Sequence, residues 1–274
     1  MENRAIGIFD SGIGGLTVLK QIKKILPYEN IIYYGDSINA PYGNKPKAII
    51  LDLSNKIIKF LLTQDIKLII IACNTISANC FYKLEQEFHE YTHIIEIISS
   101  GARAGVMSLS DKKNKLLGLI ATNATVNSQA YERYIKAEDN KIKIFAKACP
   151  LLVDLAERGL FNTKIAYDTA QNYLNYFKQK DIDSLILGCT HFPLFTNIIK
   201  KILPNVKIID PAESVALLAK DYLSNRNLLN NSAQNKRPKT IFYTSGDAKK
   251  FSTLTSDILQ ANYDQKSFIR KQMC

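Results

Sequence analysis

At 274 residues, 46% apolar and 22% charged, the chain is long enough for two domains or one large α/β unit, and its composition is globular. Collagen-like, coiled-coil and broadly disordered classes are excluded. Lys and Arg outnumber Asp and Glu by 36 to 25, a net charge of +11, and because residues 1–97 carry ten of each, the whole excess falls in the last two thirds.

The densest basic groups, Lys112-Lys113-Asn114-Lys115 and Lys236-Arg237-Pro238-Lys239, hold three cations apiece with no interleaved aromatics. They read as solvated surface, and no nucleic-acid partner is expected. The start of the chain runs into a short apolar stretch ending at Asp10, too short for a secretory signal, and no segment approaches the ~18 uncharged apolar residues of a membrane span. No membrane association and no added N-terminal regulatory segment are expected. The five cysteines, Cys73, Cys80, Cys149, Cys189 and Cys274, are odd in number, widely spaced and free of any C-x-x-C pair, the usage of a cytoplasmic protein with reduced thiols. With only His89, His93 and His191 beside them, no metal site is expected.

In chain order, strands are expected over Ala5–Phe9, Ile31–Tyr34, Leu68–Ala72, Ile94–Ile98, Leu116–Ala121, Ile142–Ala146, Ser184–Leu187, Val206–Ile209 and Thr240–Tyr243. Their nearly continuous apolarity implies burial on both faces, as in parallel sheets. Leu16, Leu19, Ile22 and Leu26, and again Ile50, Leu53, Ile57 and Leu61, keep helical spacing between strands. The alternation predicts an α/β fold, and some nine strands are many for one sheet, so two pseudo-symmetric lobes are expected, each a mostly parallel sheet flanked by helices.

A near-repeat supports that division. Leu68-Ile69-Ile70-Ile71-Ala72-Cys73-Asn74-Thr75 resembles Leu185-Ile186-Leu187-Gly188-Cys189-Thr190-His191: an apolar strand, a small residue, a cysteine, then polar residues. Both thiols fall at the carboxyl end of a strand, where open α/β sheets bind their ligands. A following helix N-terminus is expected to lower each thiol's pKa. Two such elbows suggest two acid/base groups on opposite faces of one substrate, one removing a proton from carbon and the other delivering one.

The first strand runs into Asp10-Ser11-Gly12-Ile13-Gly14-Gly15-Leu16. Thr17 stands where a dinucleotide fingerprint needs glycine, and no Gly-Lys-Ser/Thr follows, so a nucleotide cradle is rejected. The glycines are read instead as letting the backbone approach a small anion, with Asp10 placed to orient a base or grip an ammonium group.

These residues, together with Tyr34-Gly35-Asp36-Ser37, Pro41-Tyr42-Gly43 and Gly188-Cys189-Thr190-His191-Phe192-Pro193-Leu194, closely resemble the cofactor-independent glutamate racemases of the aspartate/glutamate racemase family, over the whole chain. The resemblance implies interconversion of L- and D-glutamate without pyridoxal phosphate or metal, supplying D-glutamate for peptidoglycan. It implies catalytic roles for Cys73, acting on the D-glutamate α-proton, and Cys189, acting on the L-glutamate one, with Asp10 beside the first and Glu157 and His191 beside the second. Substrate contacts are implied at Asp10, Ser11, Tyr42, Gly43, Asn74, Thr75, Thr190 and His191, with Thr122 and Thr125 as additions. It also implies one lobe of residues 1–97 plus 208–274, a second of 98–207, a cleft between them that closes on substrate, and a homodimer.

Two positions depart from the family pattern: Ala121 stands where glycine is usual and Asp154 where proline is usual, which puts an extra acid near Glu157. Cys80 reads as a packing residue, Cys149 and Cys274 carry no motif, His89 and His93 read as surface, and Asn225–Lys239 reads as a polar surface loop. Rival readings are a related two-cysteine racemase or isomerase of another small dicarboxylate such as aspartate, or of a hydantoin, and a non-catalytic basic binding protein.

Overall fold

The computed structural model describes residues 3–231 and 237–273. Among the described residues there are ten strands: β1 (Ala5–Asp10), β2 (Ile31–Gly35), β3 (Ile66–Ile71), β4 (Ile94–Glu96), β5 (Leu116–Ala121), β6 (Lys143–Ala148), β7 (Ser184–Gly188), β8 (Lys207–Ile209), β9 (Thr240–Thr244) and β10 (Phe268–Arg270). Eleven α-helices join them: α1 (Leu16–Ile25), α2 (Lys47–Leu62), α3 (Asn74–Phe88), α4 (Ile97–Met107), α5 (Asn123–Ser128), α6 (Ala130–Glu138), α7 (Pro150–Glu157), α8 (Lys164–Lys178), α9 (Thr196–Ile202), α10 (Pro211–Asn225) and α11 (Ala248–Leu259).

The strands form two sheets, one of six in the order β10-β9-β2-β1-β3-β4 and one of four in the order β6-β5-β7-β8, every pairing parallel. The expected two-sheet α/β architecture is thus present. β1, β2, β3 and β7 are buried along their whole length, because helices cover both faces of each sheet. Ile6, Ile8, Leu16, Leu19 and Ile22 join the largest apolar cluster, where each fully buried Leu or Ile contributes roughly 1.5–3 kcal/mol. α10 returns the chain from the second sheet toward the first and buries Val215, Ala216, Ala219 and Leu223. Beneath it, Lys67 and Glu29 form an ion pair at 2.6 Å with side chains 0% and 1% exposed, and the ammonium also donates to the Leu228 carbonyl at 2.6 Å.

Two expectations need correction. The strand expected over Ile94–Ile98 stops at Glu96, whose carboxylate accepts hydrogen bonds from the Ser99 and Ile98 amides and so starts α4 inside the β-branched run. β10 was not anticipated, since Ser267-Phe268-Ile269-Arg270 is short and only Phe268 is buried, packed on Phe242 of β9 with ring centroids 4.7 Å apart. Cys274 and residues 232–236 of the expected polar loop lie outside the described residues; within Asn225–Lys239, Asn225 closes α10. Among the described residues no helix is long and apolar enough to cross a membrane.

Candidate active site

Parallel pairing brings the reactive groups together. Phe9 pairs with Ile71, so the chain leaving β1 carries Asp10 and Ser11 past the chain leaving β3, which carries Cys73. In the other sheet Ala121 pairs with Gly188, which sets Thr122 beside Cys189. Both ends open onto one cavity of about 20 Å³ lined by Ser11, Tyr42, Gly43, Cys73, Asn74, Thr75, Thr122, Cys189, Thr190 and His191. That is space for about one or two water molecules, so a dicarboxylate enters only if the walls part. A hollow of about 630 Å³ next to it shares Pro41 and Asp154 but is lined by neither thiol.

On the first side, Cys73 is the residue preceding α3 and its thiol donates to Ser11 Oγ at 3.6 Å. Its pKa is pushed up to about 12, by burial first and then by the Asp10 charge, although the backbone at Ile76 and the Ser11 hydroxyl favour thiolate. The expected lowering by α3 is therefore overturned: removal from water outweighs the helix terminus. Asp10 is fully buried, and its carboxylate accepts from the Gly12 amide at 3.0 Å and Thr190 Oγ1 at 3.2 Å. Burial raises its pKa against the opposing influence of His191 and the Gly12 amide.

On the second side, Cys189 Sγ lies 3.5 Å from His191 Nδ1, and His191 Nε2 lies 2.7 Å from Glu157 Oε1. Burial opposes charge on His191, but the hydrogen bonds and charges of Cys189 and Glu157 prevail and raise its pKa well above the ordinary value. The protonated imidazole is thus favoured, with a sulfur on one side and a carboxylate on the other. Glu157 also accepts from the Ile13 amide at 3.3 Å, which ties α7 to the glycine-rich turn. Beyond Cys189 the chain forms a four-residue 3₁₀ turn, Phe192–Phe195, and not an α-helix, so the charged neighbour here is His191 rather than a helix dipole.

The glycines serve a different end from the one expected. A Cβ on Gly12 would collide with the Glu157 carboxylate, one on Gly14 with Thr190 and His191, and one on Gly15 with Asp10. Gly12 and Gly14 thus admit side chains from the segment of the other sheet, and Gly15 admits Asp10 and the Tyr33 hydroxyl of its own. Of the anticipated residues, Asp10, Glu157 and Thr125 stand behind the cavity surface; Thr125 receives a hydrogen bond from Thr122 Oγ1 at 3.0 Å, and Thr122 is itself 2.9 Å from Thr75 Oγ1. Tyr42 is pinned by a short hydrogen bond from its hydroxyl to Asp36. Asn44, Asn123, Val153 and Asp154 also line the cavity and were not anticipated there, although Asp154 is one of the two departures from the family pattern. Cys80 is buried on α3 away from the cavity, and Cys149 is buried below α7. Among the described residues, no group of three or more His, Cys, Asp or Glu is placed to hold a metal ion.

Fold and cleft together define a two-sheet α/β protein with one thiol from each sheet at a shared cavity. Residues 19–219 match the family model of Asp/Glu/hydantoin racemases. A glutamate racemase of Thermoanaerobacter pseudethanolicus is 42% identical over 252 residues, 92% of this chain and 91% of that protein. A glutamate racemase of Neisseria meningitidis is 40% identical over 97% of each chain. Among solved structures, a glutamate racemase isoform of Bacillus anthracis superposes with TM-score 0.89 at 33% identity, and the Francisella tularensis glutamate racemase in complex with D-glutamate with TM-score 0.86 at 40% identity, each covering 96% of both chains. The chain belongs to the Asp/Glu/hydantoin racemase family and is an enzyme of that class.

Proposed function

We propose that the protein interconverts L- and D-glutamate by removing the α-proton with one cysteine and returning a proton to the opposite face with the other, and that it supplies D-glutamate for peptidoglycan synthesis in the cytoplasm. The observation that carries this reading is that Cys73 and Cys189, from the carboxyl ends of β3 and β7 in separate sheets, line one closed cavity. Relatives that are glutamate racemases, at 33–42% identity over nearly the whole chain, support glutamate as substrate.

The two sides are suited to opposite starting states. Cys73, raised to about 12, holds its proton at neutral pH, whereas Cys189 faces the charged His191. Cys189 then takes the α-proton of L-glutamate and Cys73 delivers its own, with the reverse for D-glutamate. Each turnover moves one proton onto one sulfur and one off the other, so no oxidant or reductant is required. Ser11, Asn74, Thr75 and Thr190 offer neutral donors to the substrate carboxylates, with Gly43, Tyr42 and Thr122 shaping the wall; among the described residues no Lys or Arg lines the cavity. Preorganised dipoles of this kind stabilise a carbanion without overbinding the ground state. Asp10 orients the Cys73 side, and Glu157 holds His191.

Residues 1–97 with 208–274 and residues 98–207 act as the two lobes, which part to admit glutamate and close to exclude water. The active form is a homodimer. The reading is tested by incubating the protein with L-glutamate in deuterium oxide without added pyridoxal phosphate or metal. D-glutamate carrying α-deuterium is expected; absence of both inversion and α-exchange refutes it.

A further inference from the structure

We infer that Tyr131 is a positioning residue for catalysis, its hydroxyl fixing the Asn74 side-chain amide so that the NH₂ group faces the cavity as a donor to a substrate carboxylate. The inference rests on the glutamate reading and extends it to a residue that never touches substrate.

Tyr131 lies in the first turn of α6 and is 0% exposed; Asn74 opens α3, next to Cys73, and is 2% exposed. The phenol oxygen is 2.7 Å from Asn74 Oδ1, while Asn74 Nδ2 is buried with no hydrogen-bond partner. Two amide orientations would satisfy the distance, and the phenol decides between them. A buried hydroxyl must donate its proton, and the acceptor within reach is Oδ1. Burial, together with the charges of Glu96 and Asp210, holds the Tyr131 hydroxyl in its protonated, donating form. With Oδ1 thus occupied, the NH₂ group is left as the unpartnered donor of a residue that lines the cavity. An orphaned amide donor in a closed cavity costs stability unless an acceptor arrives, and a dicarboxylate brings one. The inverse orientation would aim a carbonyl at an anion.

The arrangement joins the two walls, because Asn74 follows β3 of the six-stranded sheet and Tyr131 follows β5 of the four-stranded one. It runs parallel to the Thr75–Thr122 contact one residue along. Gly101 on α4 makes room first for Pro211 and then for the phenol, since a Cβ there would lie 2.8 Å from Pro211 Cβ and 3.1 Å from the Tyr131 oxygen.

The test is Tyr131→Phe, which removes only the hydroxyl, measured with both enantiomers. KM for L- and D-glutamate is expected to rise about tenfold with kcat changed less than about twofold, the pattern of lost uniform binding. In an Asn74→Ala background, Tyr131→Phe is expected to add no further rise in KM. An unchanged KM in Tyr131→Phe, or an equal rise with and without Asn74, overturns the inference. A second measurement uses the unmutated protein: the Asn74 side-chain NH₂ resonances, identified by their loss in Asn74→Ala, must shift when D-glutamate is added, and their staying in place overturns it as well. A wild-type protein that does not racemise glutamate defeats the parent reading instead, which separates the two failures.

Discussion

Replacing Asp10 by Asn probes why Cys73 keeps its proton. Burial is the larger cause of its raised pKa and the Asp10 charge the next, and together they bring the thiol to about 12. An unperturbed thiol titrates near 8.5, so the closed cleft disfavours the Cys73 thiolate by roughly 4–5 kcal/mol at about 1.4 kcal/mol per pH unit. At pH 8 about one molecule in ten thousand would carry that thiolate. In the proposed reaction either direction needs one proton on the pair of sulfurs, so kcat, which reports the substrate complex, is lost on the alkaline side only when that last proton leaves. Following kcat by circular dichroism at saturating glutamate from pH 6 to 11, we expect no decline in the range of an ordinary thiol. Asp10→Asn removes the second cause and leaves the first, so its alkaline limb is expected to move down yet remain above that of a free cysteine. A wild-type limb at the ordinary thiol value, left in place by Asp10→Asn, would refute the reasoning.

Cys73→Ala and Cys189→Ala are each expected to abolish racemisation, and Cys80→Ala to preserve it, measured by the same optical assay. His191→Asn is expected to lower kcat at least about a hundredfold, the usual scale for a lost acid/base partner. Because the folded pKa of His191 is raised, its stabilising contribution is fully present below the unfolded value near 6.5 and is lost as pH rises through the folded value. The difference in urea-melt stability between wild type and His191→Asn should therefore shrink on going from pH 6 to pH 10. Gly12→Ala drives a methyl group into the Glu157 carboxylate, so kcat should fall about tenfold or more through misaligned His191, with the fold kept in thermal melts. Lys67→Met removes the cation from buried Glu29 and should cost roughly 3–5 kcal/mol of stability in urea melts while sparing the kcat of the folded fraction.

The parallel sheets were legible because strands buried on both faces advertise themselves as unbroken apolar runs, and the thiols because each such run ended in cysteine. Boundaries were less so where a side chain overrode propensity: Glu96 begins a helix within Ile94–Ile98, a hydrogen bond that strand periodicity does not encode. β10 escaped because its stability comes from Phe242, not from its own pattern. At the site, local reasoning placed the cysteines but misjudged the electrostatics at Cys73. Helix termini are visible in sequence, while burial, which dominates at Cys73, depends on residues far along the chain. The glycine-rich turn was misread for the same reason: Glu157, Thr190 and His191, which occupy the space at Gly12 and Gly14, are more than 140 residues away. Tyr131 had no local signal at all.

The unlike surroundings of the two thiols face a constraint from the proposed reaction itself. L- and D-glutamate are mirror images, so their equilibrium constant is unity, and kcat/KM must be equal for the two directions at every pH. Protonated Cys73 with ionised Cys189, and the reverse, contain the same number of protons, so pH cannot change their ratio. The Asp10 and His191 environments therefore bias one tautomer over the other without biasing the outcome; they can only divide the same kcat/KM differently between kcat and KM. Asp10→Asn, whatever it does to rate, must accordingly change kcat/KM for both enantiomers by one factor. Any direction dependence must appear as equal changes in kcat and KM. That equality holds whatever the symmetry of the protein; in the proposed reaction the repeated strand-cysteine elbow serves instead to set one acid/base group on each face of the α-carbon. The residues around each elbow are then free to differ, one side holding a proton by burial and the other holding a charge by pairing.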